Sequence, residues 1–399
     1  MNRFNFPKDF IIGSATAAYQ IEGGRSHLDR CIWDDFAKYS GKVYNNDDGS
    51  VACDSYHRVD EDIELIKQLK LKAYRFSICL TRVIDKNGNV LEDGINYYKH
   101  LIKRLHEINV IPFVTLYHWD LPSYLQEKGG WESDETVDWY VNYCKVVFEA
   151  FKEDVKHYIT LNEPFCISHL GYEYGCHAPG LTSVKSCVKV SLNLLKAHGK
   201  VVKLYKSLNY GGKIGICLNI NDIRPVDDKA IDAVRRKKNS GMWWYFYPIA
   251  IGKFDEEIFE HFKQQGYIGE ISKEDYEYMT TSGDFIGLNH YNPEWIDENY
   301  NHHNNSNYET NSLGWHIDPM GLYNVIKEMS SYTNKDIYVL ENGYSSLNIN
   351  DVTKEVEDIE RVKYYDGYMQ VVSRLVNEGY NVKGYFAWSL LDNYEWGCG

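Results

Sequence analysis

The stretch YITLNEP, Tyr158–Pro164, is a short run of β-prone residues that ends in an Asn–Glu pair and a proline. A second stretch, IYVLENG at Ile337–Gly343, repeats the pattern with the glutamate before the asparagine. Apolar runs of this kind are typical of buried parallel strands, and proline ends a strand because it cannot donate to the sheet. The two stretches therefore predict two strands that carry Glu163 and Glu341 at their C-terminal ends.

The rest of the chain alternates short apolar runs with longer helical patterns. The predicted strands are Phe10–Ser14, Ala73–Ile78, Val110–Leu116, His157–Leu161, Lys213–Leu218, Asp284–Leu288, Ile337–Leu340 and Val382–Trp388. The predicted helices are Val59–Leu71, Ile95–Asn109, Glu135–Lys152, Val184–Ser207, Ala230–Trp244, Gly321–Met329 and Asp358–Glu378. Eight strands separated by helices predict an α/β fold, a (β/α)8 TIM barrel that forms one domain over residues 1–399. A doubly wound open sheet is the alternative, but the sequence lacks the Gly-rich phosphate loop that often follows its first strand.

The sequence after the last predicted strand is short, since that strand ends at Trp388 and the sequence closes at Gly399. We therefore expect a barrel without its eighth helix. The uncovered strand would leave an apolar stripe exposed, which a second copy of the chain could cover. A homo-oligomer is accordingly one expectation.

Composition narrows the class of protein. The formal net charge is −14, and no basic stripe of the kind that binds phosphate backbones is present, so a nucleic-acid partner is not expected. No apolar run reaches membrane-spanning length, so no membrane association is expected either. The nine cysteines are scattered and lack paired metal-ligand spacing, which indicates free thiols in a reducing, cytoplasmic setting. No cluster of His, Asp and Glu demands a metal, and we predict neither metal nor cofactor.

Functional side chains of a TIM barrel collect at the C-terminal ends of its strands. Seven of the eight predicted strands carry polar or aromatic residues there: Gln20, Arg75, His118-Trp119, Asn162-Glu163, Asn289-His290-Tyr291, Glu341-Asn342 and Trp388. Each alone has an ordinary structural explanation, but the set indicates a functional site. Two carboxylates at one rim are the minimum apparatus for breaking a glycosidic bond with retention of configuration.

Six motifs in fixed order resemble family 1 glycoside hydrolases, the β-glucosidase family. They are Phe6–Gly23, Tyr74–Ser77, Tyr117–Pro122, Thr160–Pro164, Glu341–Gly343 and Trp388–Trp396. The resemblance covers nearly the entire chain. It implies a barrel enzyme that needs no cofactor and acts on a small carbohydrate substrate. The sequence departs from the family pattern at Cys79–Arg82 and at His290, positions that bear on loop packing.

The resemblance implies roles for five catalytic residues. Glu163 would be the general acid/base and Glu341 the nucleophile. Arg75 and a hydrogen bond from Tyr291 would keep Glu341 ionised, whereas a less charged, partly desolvated setting would keep Glu163 protonated. Asn162 would hydrogen-bond the 2-hydroxyl of the sugar.

The resemblance also implies a substrate pocket. Its predicted residues are Gln20, His118, Trp119, Asn289, Trp315, Trp388, Glu395 and Trp396. Trp388 would stack beneath the sugar ring, Glu395 would bridge the 4- and 6-hydroxyls, and Trp315 would either line the leaving-group side or cap the core.

The implied activity is removal of terminal β-D-glucosyl residues from short oligosaccharides or from aryl and alkyl glucosides by double displacement. One alternative is a truncated relative that binds sugar or a partner without turnover. Another is a hydrolase for 6-phosphorylated glucosides, although the carboxylate of Glu395 would repel a 6-phosphate.

Overall fold

The computed structural model describes residues 4–39, 41–347 and 356–399. Its strands are β1 Ile11–Ala15, β2 Ala73–Ser77, β3 Ile111–Thr115, β4 His157–Asn162, β5 Lys213–Asn219, β6 Asp222–Pro225, β7 Phe285–Asn289, β8 Pro293–Ile296, β9 His302–His303, β10 Asp336–Asn342 and β11 Val382–Trp388. Eight of them, all but β6, β8 and β9, form a closed parallel barrel in sequence order. The predicted TIM barrel is confirmed, and every predicted strand lies within two residues of its observed bounds.

Helices surround this barrel. They are α1 Ala18–Ile21, α2 Ile32–Tyr39, α3 Ser55–Gln68, α4 Leu80–Val83, α5 Glu92–Glu107, α6 Ser123–Gln126, α7 Asp134–Phe151, α8 Val184–Leu208, α9 Ile231–Ser240, α10 Trp243–Ile251, α11 Glu256–Gln264, α12 Lys273–Met279, α13 Pro319–Tyr332 and α14 Ile359–Asn377. The prediction of one helix over Ala230–Trp244 is wrong. Gly241 has non-helical backbone angles and separates α9 from α10, as expected for a residue that disfavours a helix interior.

The barrel interior is packed by side chains that alternate along each strand. In β2, Tyr74 and Phe76 face outward toward the helices, whereas Ala73 belongs to an interior cluster with Phe113 and Phe386. Arg75 shares the inward face and is completely buried. A charge in that position must be paired, which makes the centre of the barrel a place where a carboxylate is stabilised.

A small sheet lies beside the barrel and was not predicted. Strand β6 lies in the connection after β5, and β8 lies in the connection after β7. These two strands pair in parallel, and β9 pairs antiparallel with β8. In the part of the chain that the structure describes, no helix is long and apolar enough to cross a bilayer. All nine cysteines fall within this part and are free, six of them buried.

The barrel closes where β1 pairs in parallel with β11, with Ile11 opposite Gly384 and Ala15 opposite Trp388. After β11 the described residues hold a single short 3-10 turn, Trp396–Cys398, and no α-helix. These residues fold back over the rim, because the Gln20 amide donates to the carbonyl of Tyr394 at 2.8 Å.

A buried ion pair supports the first loops beneath the rim. Arg82 Nε donates to Glu22 Oε2 at 2.9 Å, and Tyr98 donates to Glu22 Oε1 at 2.6 Å. We expect Arg82→Leu to lower the free energy of unfolding by about 3–5 kcal/mol, because the buried Glu22 carboxylate loses its counter-charge. Urea denaturation monitored by circular dichroism measures this loss.

A matched control is Arg58→Leu, which removes an exposed partner of Glu61 and should change stability far less. The double replacement of Arg82 and Glu22 by leucine should recover much of the lost stability. Equal losses for Arg82→Leu and Arg58→Leu would contradict the role assigned to the buried pair.

Candidate active site

Two irregular strand ends deliver the two glutamates. The register of β4 against β5 shifts between Ile159 and Asn162, and the register of β10 against β7 shifts between Val339 and Glu341. Such bulges re-aim side chains and recur beside active sites. Glu163 then adopts a left-handed backbone, with φ of +50°. Both carboxyl groups thus enter one pocket at the C-terminal end of the barrel.

Glu341 lies in a charged setting. Arg75 Nη1 donates to its Oε1 at 2.7 Å, and the Tyr291 hydroxyl donates to its Oε2 at 2.8 Å. The following Gly343 is required by a close approach, since a Cβ there would lie 1.9 Å from the carbonyl oxygen of Trp388. The predicted contacts of Glu341 with Arg75 and Tyr291 are present.

Glu163 lies in a less charged setting. Asn289 Nδ2 donates to its Oε1 at 2.5 Å, and the Cys166 thiol donates to its Oε2 at 3.0 Å. Asn219 Nδ2 lies 3.5 Å from Cys166 Sγ and fixes the thiol from the other side. Sequence reasoning missed Cys166, which was interpreted only as one of the buried thiols. Its position three residues after Glu163 in a helical segment was the available signal.

The two carboxyl groups differ in the charges around them. Burial raises the pKa of Glu163 to about 7, and the negative charge on Glu341 adds to the rise. Burial also raises the pKa of Glu341 above its usual range, although the Arg75 guanidinium and the Tyr291 hydroxyl oppose the rise. The cation paired with Glu341 favours the negative charge on that carboxyl group and the proton on Glu163.

A single amide connects the two groups. Asn289 Nδ2 donates to Glu163 Oε1 and, at 3.2 Å, to Asn162 Oδ1, and the same side chain hydrogen-bonds Glu341. Arg75 Nη2 also donates to Asn162 Oδ1, at 2.6 Å. These contacts orient the side-chain oxygen of Asn162 toward the Arg75 guanidinium and its NH2 group toward the pocket.

Two buried atoms of the predicted pocket have no hydrogen-bond partner among the described residues: Gln20 Oε1 and His118 Nδ1. The NH2 group of Asn162 donates to His118 Nε2 at 3.0 Å, and burial lowers the pKa of His118 well below its usual range. His118 is therefore neutral, with its proton on Nδ1. The predicted pocket thus holds one buried acceptor and one buried donor without a partner among the described residues, which suits a ligand rich in hydroxyl groups.

Aromatic rings enclose the same pocket. The ring of His118 lies 5.9 Å from that of Trp388 and 6.2 Å from that of Trp396, both nearly parallel. The ring of Trp119 packs on that of Trp396 at 4.6 Å, and its indole N–H donates to the carbonyl of Asn162. Trp119 therefore presents its ring face to the pocket and stabilises the C-terminal end of β4. Sequence reasoning missed Trp33, whose ring lies 4.5 Å from Trp396.

Glu395 and Trp315 lie at the edges of the site. Gln20 Nε2 donates to Glu395 Oε2 at 3.4 Å, and burial with the charge of Glu341 raises the pKa of Glu395 to about 7. Trp315 contacts the Tyr291 ring at 5.2 Å and is half-buried. Contacts therefore connect eleven of the thirteen residues predicted for the site, and the other two, Gln20 and Glu395, contact each other at its edge. A protonated and an ionised carboxyl group in one pocket can donate a proton and attack a carbon centre in the same step.

Comparisons with known proteins agree with this arrangement. A sequence model of glycosyl hydrolase family 1 matches residues 2–399. Beta-glucosidase A of Acetivibrio thermocellus is 37% identical over 413 residues, covering 100% of this chain and 92% of the relative. A 1,4-beta-D-glucan glucohydrolase of Thermotoga neapolitana is 37% identical and covers 99% of this chain and 95% of the relative. The solved beta-glucosidase of Thermotoga maritima in complex with glucoimidazole superposes with a TM-score of 0.95 at 37% identity, covering 100% of this chain and 92% of that one.

Proposed function

The chain belongs to glycosyl hydrolase family 1, and from that premise we propose that it is a retaining β-glucosidase. Its substrates would be terminal non-reducing β-D-glucosyl residues of short oligosaccharides or of aryl and alkyl glucosides. The observation that carries the proposal is the buried ion pair of Arg75 with Glu341 at 2.7 Å, beside a Glu163 carboxyl group whose hydrogen-bond donors are uncharged. Asn289 reaches both carboxyl groups and so keeps them close together, and the retaining mechanism requires close carboxyl groups.

In the first step, a carboxylate oxygen of Glu341 attacks the anomeric carbon. The bond from that carbon to the leaving-group oxygen breaks, and the proton of Glu163 passes to that oxygen. Arg75 and Tyr291 hold the attacking carboxylate in place. Asn162 offers its NH2 group to the 2-hydroxyl, a contact that strengthens as positive charge develops on the ring.

In the second step, Glu163 is ionised and takes a proton from water. The water oxygen attacks the anomeric carbon, the ester bond to Glu341 breaks, and the β anomer of the sugar leaves. Glu163 regains its proton and Glu341 its charge. This cycle needs neither metal nor cofactor.

The sugar pocket supports glucosides as substrates. In this proposal Gln20 Oε1 and the Nδ1–H of His118, which lack protein partners, would bind ring hydroxyls. Trp388 would stack on the ring face, and Glu395 would bridge the 4- and 6-hydroxyls. A beta-glucosidase of Thermotoga maritima has been solved in complex with deoxynojirimycin, which supports a small ligand for the corresponding pocket here. Cytoplasmic location, a role in cellulose degradation and homo-oligomerisation stay predictions.

The proposal is tested by hydrolysis of p-nitrophenyl β-glucoside and of cellobiose, followed by proton NMR of the first sugar released. We expect the β anomer to form first and to mutarotate afterwards. Release of the α anomer would show inversion, and binding of glucose without any turnover would support the non-catalytic alternative.

The thiol of Cys166 beside Glu163 leads us to predict a change in the pH dependence of activity when it is removed. Cys166 donates to Glu163 and thereby lowers its pKa. Glu163 must be protonated for the first step, so activity falls as pH rises through its pKa. We expect Cys166→Ala to move this basic limb of kcat/KM to higher pH by up to about one pH unit, since a hydrogen bond contributes about 1 kcal/mol.

The control is Cys176→Ala, which removes an exposed thiol and should leave the profile in place. A basic limb that does not move in Cys166→Ala, or that moves to lower pH, contradicts the assigned hydrogen bond.

The carboxyl group of Glu395 predicts discrimination against 6-phosphoglucosides. Because its pKa is about 7, it gains its charge as pH rises through neutrality, while a phosphate already carries nearly two charges. We expect the ratio of kcat/KM for the glucoside over its 6-phosphate to exceed about 100 at pH 8 and to fall at pH 6. Glu395→Gln should lower the ratio and flatten its pH dependence; a ratio that is independent of pH in the unaltered chain would refute this explanation.

A further inference from the structure

A second cluster of chemically active side chains lies on the outer side of the segment that follows Glu163. A π-helical segment, Cys166–Glu173, carries His169 and Glu173 four residues apart, and the first turn of α8 carries Cys187. The imidazole, carboxylate and thiol donor atoms all lie within 4.8 Å of one another. None of the three residues contacts a group assigned to the glycosidase site.

The contacts of His169 allow Nε2 to be a free base. Ser168 Oγ lies 2.8 Å from the carbonyl oxygen of Pro164, to which it can donate its one proton. In that arrangement Ser168 Oγ accepts from His169 Nδ1–H at 3.1 Å, and the Tyr245 hydroxyl lies 2.5 Å from the same oxygen. Nε2 then has the lone pair, as in a metal-ligating histidine whose other nitrogen is held by a hydrogen bond. In the other tautomer, Nε2–H donates to the carbonyl of Ser240.

The lone pair of Nε2 faces another electron-rich atom. His169 Nε2 lies 3.8 Å from Glu173 Oε2, beyond hydrogen-bond distance. Burial lowers the pKa of His169 to about 4, so the ring carries no charge near neutral pH. Bonds of about 2.0–2.3 Å in a tetrahedral site put neighbouring donor atoms about 3.3–3.8 Å apart. The spacing is that of two ligands of one ion, and the Cys187 thiol already lies within hydrogen-bond distance of Glu173.

We propose that His169, Glu173 and Cys187 bind one zinc ion and thereby fasten the segment after Glu163 to α8. One nitrogen, one oxygen and one sulfur donor suit Zn²⁺, whereas Ca²⁺ and Mg²⁺ require oxygen ligands. Three protein donors leave the fourth position for water. The carbonyl of Ser240, which also faces the His169 ring, is the competing partner for Nε2.

Binding exchanges one proton for one metal ion. Burial and the neighbouring Glu173 charge raise the pKa of the Cys187 thiol, which in the free protein is protonated and hydrogen-bonded to Glu173. When the ion enters, the S–H bond breaks, a bond from sulfur to the metal forms, and the proton passes to solvent. No electron transfer is involved.

Titration of the full chain with Co²⁺, a spectroscopic substitute for Zn²⁺, tests the site. We expect one equivalent to bind, with the near-ultraviolet absorption of a thiolate–cobalt bond, visible bands of tetrahedral cobalt, and release of about one proton per ion. Zn²⁺ should displace the cobalt and raise the melting temperature of the protein.

Cys187→Ser and Glu173→Gln should each weaken Co²⁺ binding by more than about 100-fold, and Cys187→Ser should remove the near-ultraviolet band. Cys176→Ser, a matched change of an exposed thiol, should preserve both. Absence of the band from the unaltered chain, its loss in Cys176→Ser, or its survival in Cys187→Ser would overturn the proposal. The first of these results would assign His169 Nε2 to Ser240 instead.

Discussion

Glu341→Ala should lower kcat/KM for p-nitrophenyl β-glucoside by about 10⁴-fold or more, because no other group in the pocket can form the glycosyl ester. Azide should restore turnover by occupying the space of the lost side chain. Its nitrogen forms the bond to the anomeric carbon while Glu163 protonates the leaving oxygen. Attack from the side of Glu341 inverts the centre once, so the product should be the α-glucosyl azide.

Loss of the Glu341 carboxylate also leaves Arg75 buried without its counter-ion, and the variant should be less stable. Arg75 keeps hydrogen bonds to Thr115, Leu340 and Asn162, which limits the damage. Glu341→Gln is the second test, because it keeps the size of the side chain and lacks only the nucleophile. Near-normal activity in a folded Glu341→Gln or Glu341→Ala protein would refute the assignment.

Glu163→Ala should have the second largest effect, and the effect should depend on the leaving group. For cellobiose, whose leaving alcohol needs a proton, kcat/KM should fall by about 10²–10⁴-fold, the range of general acid catalysis. For 2,4-dinitrophenyl β-glucoside the first step should change little, because that phenolate leaves unprotonated. The second step then becomes limiting, and a burst of phenolate should precede slow turnover.

Azide should rescue this variant as well, but with the other anomer. It would attack the ester of Glu341 from the side of the lost Glu163 and give the β-glucosyl azide. The basic limb near pH 7 should vanish, because Glu163 is the group that titrates there. The same anomer from the Glu163→Ala and Glu341→Ala variants would mean that the two roles are not divided as proposed.

Much of the fold and the candidate site could be predicted from sequence because parallel strands have a simple pattern. Apolar runs gave the eight barrel strands, and the residues at their ends, such as Arg75 and Asn289, necessarily meet at one rim. The register shifts in β4 and β10 could not be predicted, since they depend on hydrogen bonds to neighbouring strands that lie far away in sequence. The break at Gly241 was visible in the sequence but was given too little weight.

The other residues that could not be identified from the sequence share one property: their roles depend on contacts between short segments that only the folded chain brings together. The contact of Cys166 with Glu163 depends on the helical segment that begins there, and the meeting of His169 with Cys187 depends on how that segment packs against α8. A scattered thiol carries no periodic signal. Spacing rules for metal ligands detect sites within one loop, whereas these donors come from two elements.

During folding, enzymatic activity can appear only after β1 has paired with β11. The sugar pocket joins Gln20 to Tyr394 and Glu395, residues separated by about 370 positions, so it exists only after the barrel seam has closed. Contacts between such distant positions form slowly, because a long loop must be ordered before they are made. During synthesis on the ribosome the catalytic strands can form earlier, but the proposed sugar pocket is completed last. Recovery of activity during refolding is therefore a reporter of barrel closure rather than of helix or strand formation.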